Sequence, residues 1–407
     1  RLIEQLTLDV DLAREICAFL VENGLYVQVY TDDAFYYSAE CDIARRYKQS
    51  SGMKGVAVGD VCAFLTFATP KVLSVGEPED VLRLMPLAGE RFLGLVLGEG
   101  RTPTLVYNEM FAVPADLACA VRTFNDTEDP LVPAADLCDP ARPLGCDKNL
   151  AARFLIPLME RGAASGFVLA SDVVDDARAH KSAEERDLMR TASHTNDAAM
   201  ARFKELVREG ATEAEVAGQL EAVYRELGAQ GHSFSPIVSF GANAADPHHE
   251  PDGTRLAPGD VVLFDVGCRQ GEYCADMTRT FFFGEPTQKQ REVYETVRRA
   301  NEAAQRVVAP GVRFCDIDRA AREVIEEAGY GPYFTHRLGH QIGLDVHEPG
   351  DVSSVHEAPV EVGMCFSIEP GIYLPGEFGV RIEDLVIVTE DGCEALNAYP
   401  HELEVLG

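Results

Sequence analysis

Two segments of this chain place acids inside otherwise apolar strands, and few folds tolerate that. Val261-Val262-Leu263-Phe264-Asp265-Val266-Gly267 reads as a buried strand interrupted by one carboxylate. Gln270-Gly271 offers a turn, and Tyr273 to Phe281 returns with Asp276 near its start. A hairpin symmetric about that turn sets Asp265 directly opposite Asp276. Like charges facing each other across a sheet are destabilising, and burial aggravates the cost unless a proton or a cation lies between them. The pattern recurs. Cys365-Phe366-Ser367-Ile368-Glu369 is followed by a Pro375-Gly376 turn and by Gly379-Val380-Arg381-Ile382-Glu383, with both acids centred on the turn. Four inward carboxylates predict a site for hard cations.

Nitrogen donors lie between the two hairpins, in Thr335-His336-Arg337-Leu338-Gly339-His340-Gln341-Ile342-Gly343 and in Val346-His347-Glu348. Carboxylates with an imidazole suit Mn²⁺, Fe²⁺, Co²⁺ or Zn²⁺ better than a thiolate-seeking ion. Bridging carboxylates allow such a set to hold two metals, an arrangement used in hydrolytic aminopeptidases. Gly339 and Gly343 have no phosphate-loop spacing and read as tight packing near the histidines.

Charge excludes some partners. Asp and Glu outnumber Lys and Arg by 67 to 36, for a net charge of -31. Such a surface repels phosphate backbones and anionic membranes, so neither nucleic acid nor a membrane is an expected partner. No apolar run approaches the roughly 18 residues of a membrane span, and the first residues show no signal-peptide pattern. Eleven cysteines without a CxxC pair fit a reducing cytoplasm rather than a disulfide framework.

The expected fold class is α+β, organised in three parts: a small α/β segment over 1–84, an α/β domain over 85–175 and a catalytic domain over 176–407. In the first, Leu12, Ile16, Phe19 and Leu20 mark a helix, and Leu25–Tyr30 and Val72–Gly76 read as strands. The second has strand patterns at Phe92–Leu97 and Thr104–Tyr107 and a helix pattern at Asn149–Arg161. In the third, Ser182/Glu185 and Thr212/Glu215 form capping boxes that open two helices. Strands dominate from Phe234 to Phe283, helices follow over 287–308 and 315–328, and strands return near 362. Helix pairs alternating with mostly antiparallel strands give an α+β domain.

Over 180–407 the chain resembles the pita-bread metallopeptidases, the family of methionine aminopeptidase, prolidase and aminopeptidase P. The resemblance rests on Asp265-Val-Gly267, Asp276-Met-Thr-Arg-Thr280, Gly339-His340 with His347 beyond it, Ile368-Glu369-Pro370-Gly371 and Arg381-Ile-Glu383-Asp384. It implies a pseudo-twofold antiparallel sheet with helix pairs. Asp265, Asp276, His340, Glu369 and Glu383 would be ligands of two divalent metals, Mn²⁺ first among them, with Asp276 and Glu383 bridging. His248 and His347 fall where the Xaa-Pro peptidases keep active-site histidines, His249 being the decoy beside the first. The Glu369 and Glu383 motifs look like the proline-specific branch. Residues 89–172 resemble part of the creatinase-type domain that precedes catalytic domains of that branch.

By that resemblance the chain is a cytoplasmic Xaa-Pro peptidase, prolidase-like, acting on small peptides with proline second and assembling as a homodimer. Aminopeptidase P activity on longer peptides is the alternative, and an inactive pita-bread binding protein is the reading from another class. A metal-free creatinase-like hydrolase would lack the five-ligand set. Glu369 is the expected proton shuttle, and Arg381 the partner of a ligand carboxylate. The chain departs from its relatives at Gln341, where a glycine is usual, at Phe234, where some have tyrosine, and at Asp351, where archaeal prolidases place an arginine. Residues 8–84 resemble the cap segment of Cof-type haloacid-dehalogenase-like phosphatases, without the Asp-x-Asp motif their chemistry needs.

Overall fold

The computed structural model describes residues 26–30, 34–39, 54–64, 72–75, 92–98, 101–111, 113 and 117–407. The chain divides into two compact units, 1–169 and 170–407. The helix expected around Leu12–Leu20 and much of the phosphatase-like segment lie outside the described residues. In the first unit, Tyr26–Tyr30 pairs with Ala34–Tyr37 and with Val72–Val75. A second sheet orders Leu93–Val96, Thr104–Asn108 and Ala120–Phe124, and Phe92, Val106, Phe124, Leu131 and Leu158 share one core.

The second unit repeats one plan. A helix pair, Ala183–Phe203 and Glu213–Glu226, precedes the first acid-bearing strands. Both helices open on the capping boxes visible in the sequence, Ser182 with Glu185 and Thr212 with Glu215. A second pair, Gln288–Val307 and Phe314–Glu327, precedes the other acids. One sheet orders Ile237–Phe240, Val261–Val266, Met277–Phe283 and Val405–Leu406. The other orders Glu348–Val352, Gly339–Gln341, Cys365–Ile368, Asp384–Val388 and Cys393–Ala395.

Strand alternation then decides where the acids point. Val262, Phe264 and Val266 pack against Ala199, Phe203, Leu220 and Tyr224 of the first helix pair. Phe366, Ile368, Val386 and Val388 pack in one core with Val297, Ala300, Ile317 and Ala321 of the second pair. Side chains alternate across a strand, so Asp265, Ser367 and Glu369 face away from the helices.

The first hairpin corrects the expected register. Asp265 lies opposite Thr278, not Asp276, because Gln270 pairs with Tyr273 and the turn is Gly271-Glu272. Both turn residues have positive φ, 58° and 69°, the signature of a two-residue hairpin turn of the mirror-image type. The one-residue shift of the turn moves the register by two, so Asp276 stays on the same face as Thr278 and meets Asp265 diagonally. Gly267 stands at the break between strands, where a Cβ would lie 2.0 Å from the Ala275 carbonyl oxygen. The second hairpin keeps its expected register. Ile368 pairs with Asp384 and Gly371 with Arg381, which sets Glu369 across from Glu383.

Candidate metal centre

Asp276, His340 and Glu383 are buried, and one ligand atom from each lies within 4.8 Å of the others. Asp265 and Glu369 lie beside this cluster: both act electrostatically on Asp276 and Glu383, and Glu369 Oε1 is 3.5 Å from His340 Nε2. His340 projects its ring in a fixed sense. Its Nδ1 donates to the Gln341 carbonyl at 3.1 Å, leaving Nε2 at 3.5 Å from Glu369 Oε1 and 3.7 Å from Asp276 Oδ2. A histidine that spends one nitrogen on a backbone carbonyl presents the other as a ligand.

The carboxylates are oriented but not satisfied. Glu383 Oε2 accepts from Thr278 Oγ1 at 2.7 Å, and Glu369 Oε1 accepts from Ser367 Oγ at 3.1 Å. Asp265 Oδ2 accepts from Arg381 at 2.5 Å, and the same guanidinium donates to Thr278 Oγ1 and Tyr373 Oη. Asp265 Oδ1, Asp276 Oδ1 and Glu383 Oε1 are buried without a hydrogen-bond partner among the described residues. Orphaned buried acceptors are costly. One buried guanidinium does not balance four carboxylates, so the donor set fits divalent cations.

Titration behaviour follows the same imbalance. Burial, and then the neighbouring Glu383, Asp265 and Glu369, raise Asp276 well above the ordinary carboxylate range. Burial followed by Glu369 and Asp265 does the same to Glu383. Burial lifts Glu369 to about 7 even with Arg381 opposing it. Burial lowers His340 to about 3, assisted by His347, so its imidazole stays neutral.

The predicted histidines sit around this cluster. The His347 ring lies 4.1 Å from that of His340, edge to face, and is exposed. His248 is exposed on the loop after Gly241–Ala245, near enough to His336 and His347 to act on both electrostatically. His249 turns away. Its Nε2 lies 2.7 Å from Glu213 Oε2, and the buried Glu213 also accepts from the backbone N–H groups of Phe240 and Asp252 and from Asn243 Nδ2. Although Glu213, His249 and Asp252 cluster closely enough to hold an ion, the carboxylate of Glu213 is already spent pinning the loop that carries His248.

Sequence reasoning placed His336 among the nitrogen donors without a role and passed over Tyr373. Tyr373 Oη accepts from Arg381 Nη1 at 2.8 Å and lies 2.9 Å from His336 Nε2. His336 Nδ1 donates to the Arg337 carbonyl at 2.7 Å, so Tyr373 is the donor to Nε2. Burial, then Arg381, lowers His336 to about 3. The strand pairing that brings Tyr373 to His336 was not visible in the sequence. The loop after His347 is held by Glu348, whose buried carboxylate accepts from Lys181 Nζ at 2.8 Å and from Arg178 at 2.7 Å.

Comparison with known proteins agrees with this geometry. Residues 187–390 match metallopeptidase family M24. A putative dipeptidase of Bacillus subtilis, YkvY, is 44% identical over 240 residues, covering 59% of this chain and 66% of the relative. The match thus spans just under two thirds of that curated relative's length. The crystal structure of dipeptidase PepE from Mycobacterium ulcerans is 38% identical with a TM-score of 0.73, covering 78% of this chain and 87% of that one. The prolidase from Pyrococcus horikoshii OT3 is 34% identical with a TM-score of 0.69, covering 75% and 87%.

Proposed function

Because the chain belongs to metallopeptidase family M24, we propose that it is a dinuclear peptidase cleaving the bond before proline, with Xaa-Pro dipeptides favoured over longer peptides. The observation that carries this reading is the buried cluster of Asp276, His340 and Glu383, in which Asp276 Oδ1 and Glu383 Oε1 have no hydrogen-bond partner among the described residues. The relatives, named as dipeptidases and a prolidase, support the substrate class.

In this reading Asp265, Asp276, His340, Glu369 and Glu383 hold two divalent cations, Mn²⁺ first because oxygen donors dominate. Bound there, such cations supply Lewis acidity for a carbonyl and a lowered pKa for water. Glu369 accepts the proton of the attacking water and returns it to the leaving imino nitrogen of proline. His248 and His347 donate to the oxygen that gains charge at the scissile carbon and orient the peptide. Arg381 fixes Asp265 directly and Glu383 through Thr278, holding both at the angle their role needs. The substrate's free amino terminus meets the acidic cavity. No described helix is long and apolar enough to cross a membrane. A cytoplasmic homodimer is part of the proposal.

The test is turnover of Gly-Pro, of a Gly-Pro-Yaa tripeptide and of Gly-Gly by protein loaded with Mn²⁺. Proline release from Gly-Pro with little from Gly-Gly supports the proposal. Faster cleavage of the tripeptide would favour an aminopeptidase, and no release from either proline peptide would contradict the proposal.

A further inference from the structure

The exposed ring of His347 meets the His340 ring edge to face at 4.1 Å and forms no hydrogen bond to the described residues. No side-chain partner therefore fixes its direction, and its place beside the buried cluster is set by its main chain. That main chain is the loop 342–347, which joins Gly339–Gln341 to Glu348–Val352. The loop is folded around one carboxylate. Glu348 Oε1 accepts from the Leu344 N–H at 3.0 Å and from Arg178 Nε and Nη2 at 3.2 and 2.7 Å. Oε2 accepts from Lys181 Nζ at 2.8 Å. Gly343 packs so closely on this group that a Cβ would lie 2.7 Å from Oε1.

Both sides of the loop are tied to strands of the site. The Lys181 N–H donates to the Gly363 carbonyl at 3.0 Å and His180 bridges to Met364, just before the strand Cys365–Ile368 that leads to Glu369. Opposite, the Cys274 N–H donates to the Gly343 carbonyl at 2.8 Å, two residues before Asp276. The clasp is made of buried charge, with the Lys181 and Glu348 side chains 1% and 2% exposed. Stability alone does not explain such a pair, since well-packed apolar residues of similar volume often serve as well or better. What the carboxylate adds is direction: it fixes one backbone N–H and two cations by charge-assisted hydrogen bonds.

We propose that Glu348, clasped by Lys181 and Arg178, is a positioning residue that holds the His347 ring against His340 for the reaction. The inference rests on the peptidase reading above and adds what keeps His347 in register with the proposed metal ligands. Glu348 acts through His347, so replacing the clasp loses what His347 contributes and no more.

The test replaces the buried pair by apolar residues, Lys181→Met with Glu348→Leu, in the full chain. Arg178 keeps Asp345 as a partner at 2.7 Å. The double variant is expected to fold with unchanged metal content, with kcat for Gly-Pro lowered about 10- to 100-fold and KM moved less than about threefold. In a His347→Ala background the same two substitutions should lower kcat no further. In Zn²⁺-loaded protein with labelled histidines, the nuclear Overhauser effect between the His340 and His347 rings should be lost from the double variant. Arg178→Gln leaves the buried pair in place and should lower kcat in the same sense by less; it carries the comparison if the double variant does not fold. A wild type without that ring contact, a variant that keeps both the contact and wild-type kcat, or a loss of kcat undiminished in the His347→Ala background would overturn the proposal. A wild type that shows the contact, lost in the variant, but releases no proline from Gly-Pro would uphold the positioning and contradict the peptidase reading.

Discussion

Removing metal should invert the usual pH dependence of stability near neutrality. In the metal-free protein Asp276 and Glu383 are raised well above the carboxylate range, and Glu369 to about 7 from an ordinary 4.5. A carboxyl whose folded pKa is raised contributes stability that is fully present below its unfolded pKa and is lost as pH rises through the folded pKa. Each carboxyl that keeps its proton only in the folded state costs about 1.4 kcal/mol per pH unit. Buried His336 and His340, lowered to about 3, act in the opposite sense, but only below their unfolded pKa of about 6.5. The clean window is therefore pH 6.5 to 8. Across it the loss is about 2 kcal/mol if one of Asp276 and Glu383 stays protonated and about 4 kcal/mol if both do, with about 1 kcal/mol more from Glu369 as it titrates near 7. Loaded protein should behave oppositely, because cations bind the deprotonated ligands and binding strengthens as protons leave. Urea unfolding followed by circular dichroism at three pH values, with metal content verified, measures both slopes. Metal-free protein whose stability is flat or rises from pH 6.5 to 8 would refute the reasoning.

Other substitutions separate the roles around the site. Glu369→Gln should keep some metal, by elemental analysis, while turnover of Gly-Pro falls by about 10²–10⁴-fold. His347→Ala should leave metal content nearly intact and lower turnover on the order of 10²-fold. His249→Ala removes the partner of buried Glu213 and should cost about 1–3 kcal/mol in chemical denaturation, because a charged hydrogen bond is lost. Lys181→Met leaves Arg178 as the one cation paired with Glu348 among the described residues and should cost about 3 kcal/mol by the same measurement.

The acids of the site were legible because buried charge in an apolar strand has few explanations, and the two hairpins repeat it. Register was legible only in part. The Pro375-Gly376 turn centred the second hairpin as expected, and Gln270-Gly271 looked equally suitable for the first. The chain instead turns at Gly271-Glu272, with Glu272 taking a positive φ that its residue type does not advertise. Both capping boxes of the first helix pair were readable, since they are local. The Arg381–Tyr373–His336 chain and the clasp of Lys181 on Glu348 were not. Their members are far apart in sequence or on different strands, and no local pattern records which side chains a pairing brings together. His249 shows the same limit. Adjacent histidines look alike in sequence, and only their surroundings tell them apart: the ring of His249 is held by Glu213, whereas His248 is exposed and its ring makes no hydrogen bond to the described residues.

Metal stoichiometry tests the central claim most directly. Calorimetric titration of Mn²⁺ into metal-free protein, with elemental analysis of the product, should give two ions per wild-type chain. The same titration should give fewer than two for Asp276→Asn and for Glu383→Gln, since each would remove a carboxylate proposed as a metal ligand. Wild-type protein that takes up no divalent ion, or variants that still bind two as tightly as the wild type, would contradict the account.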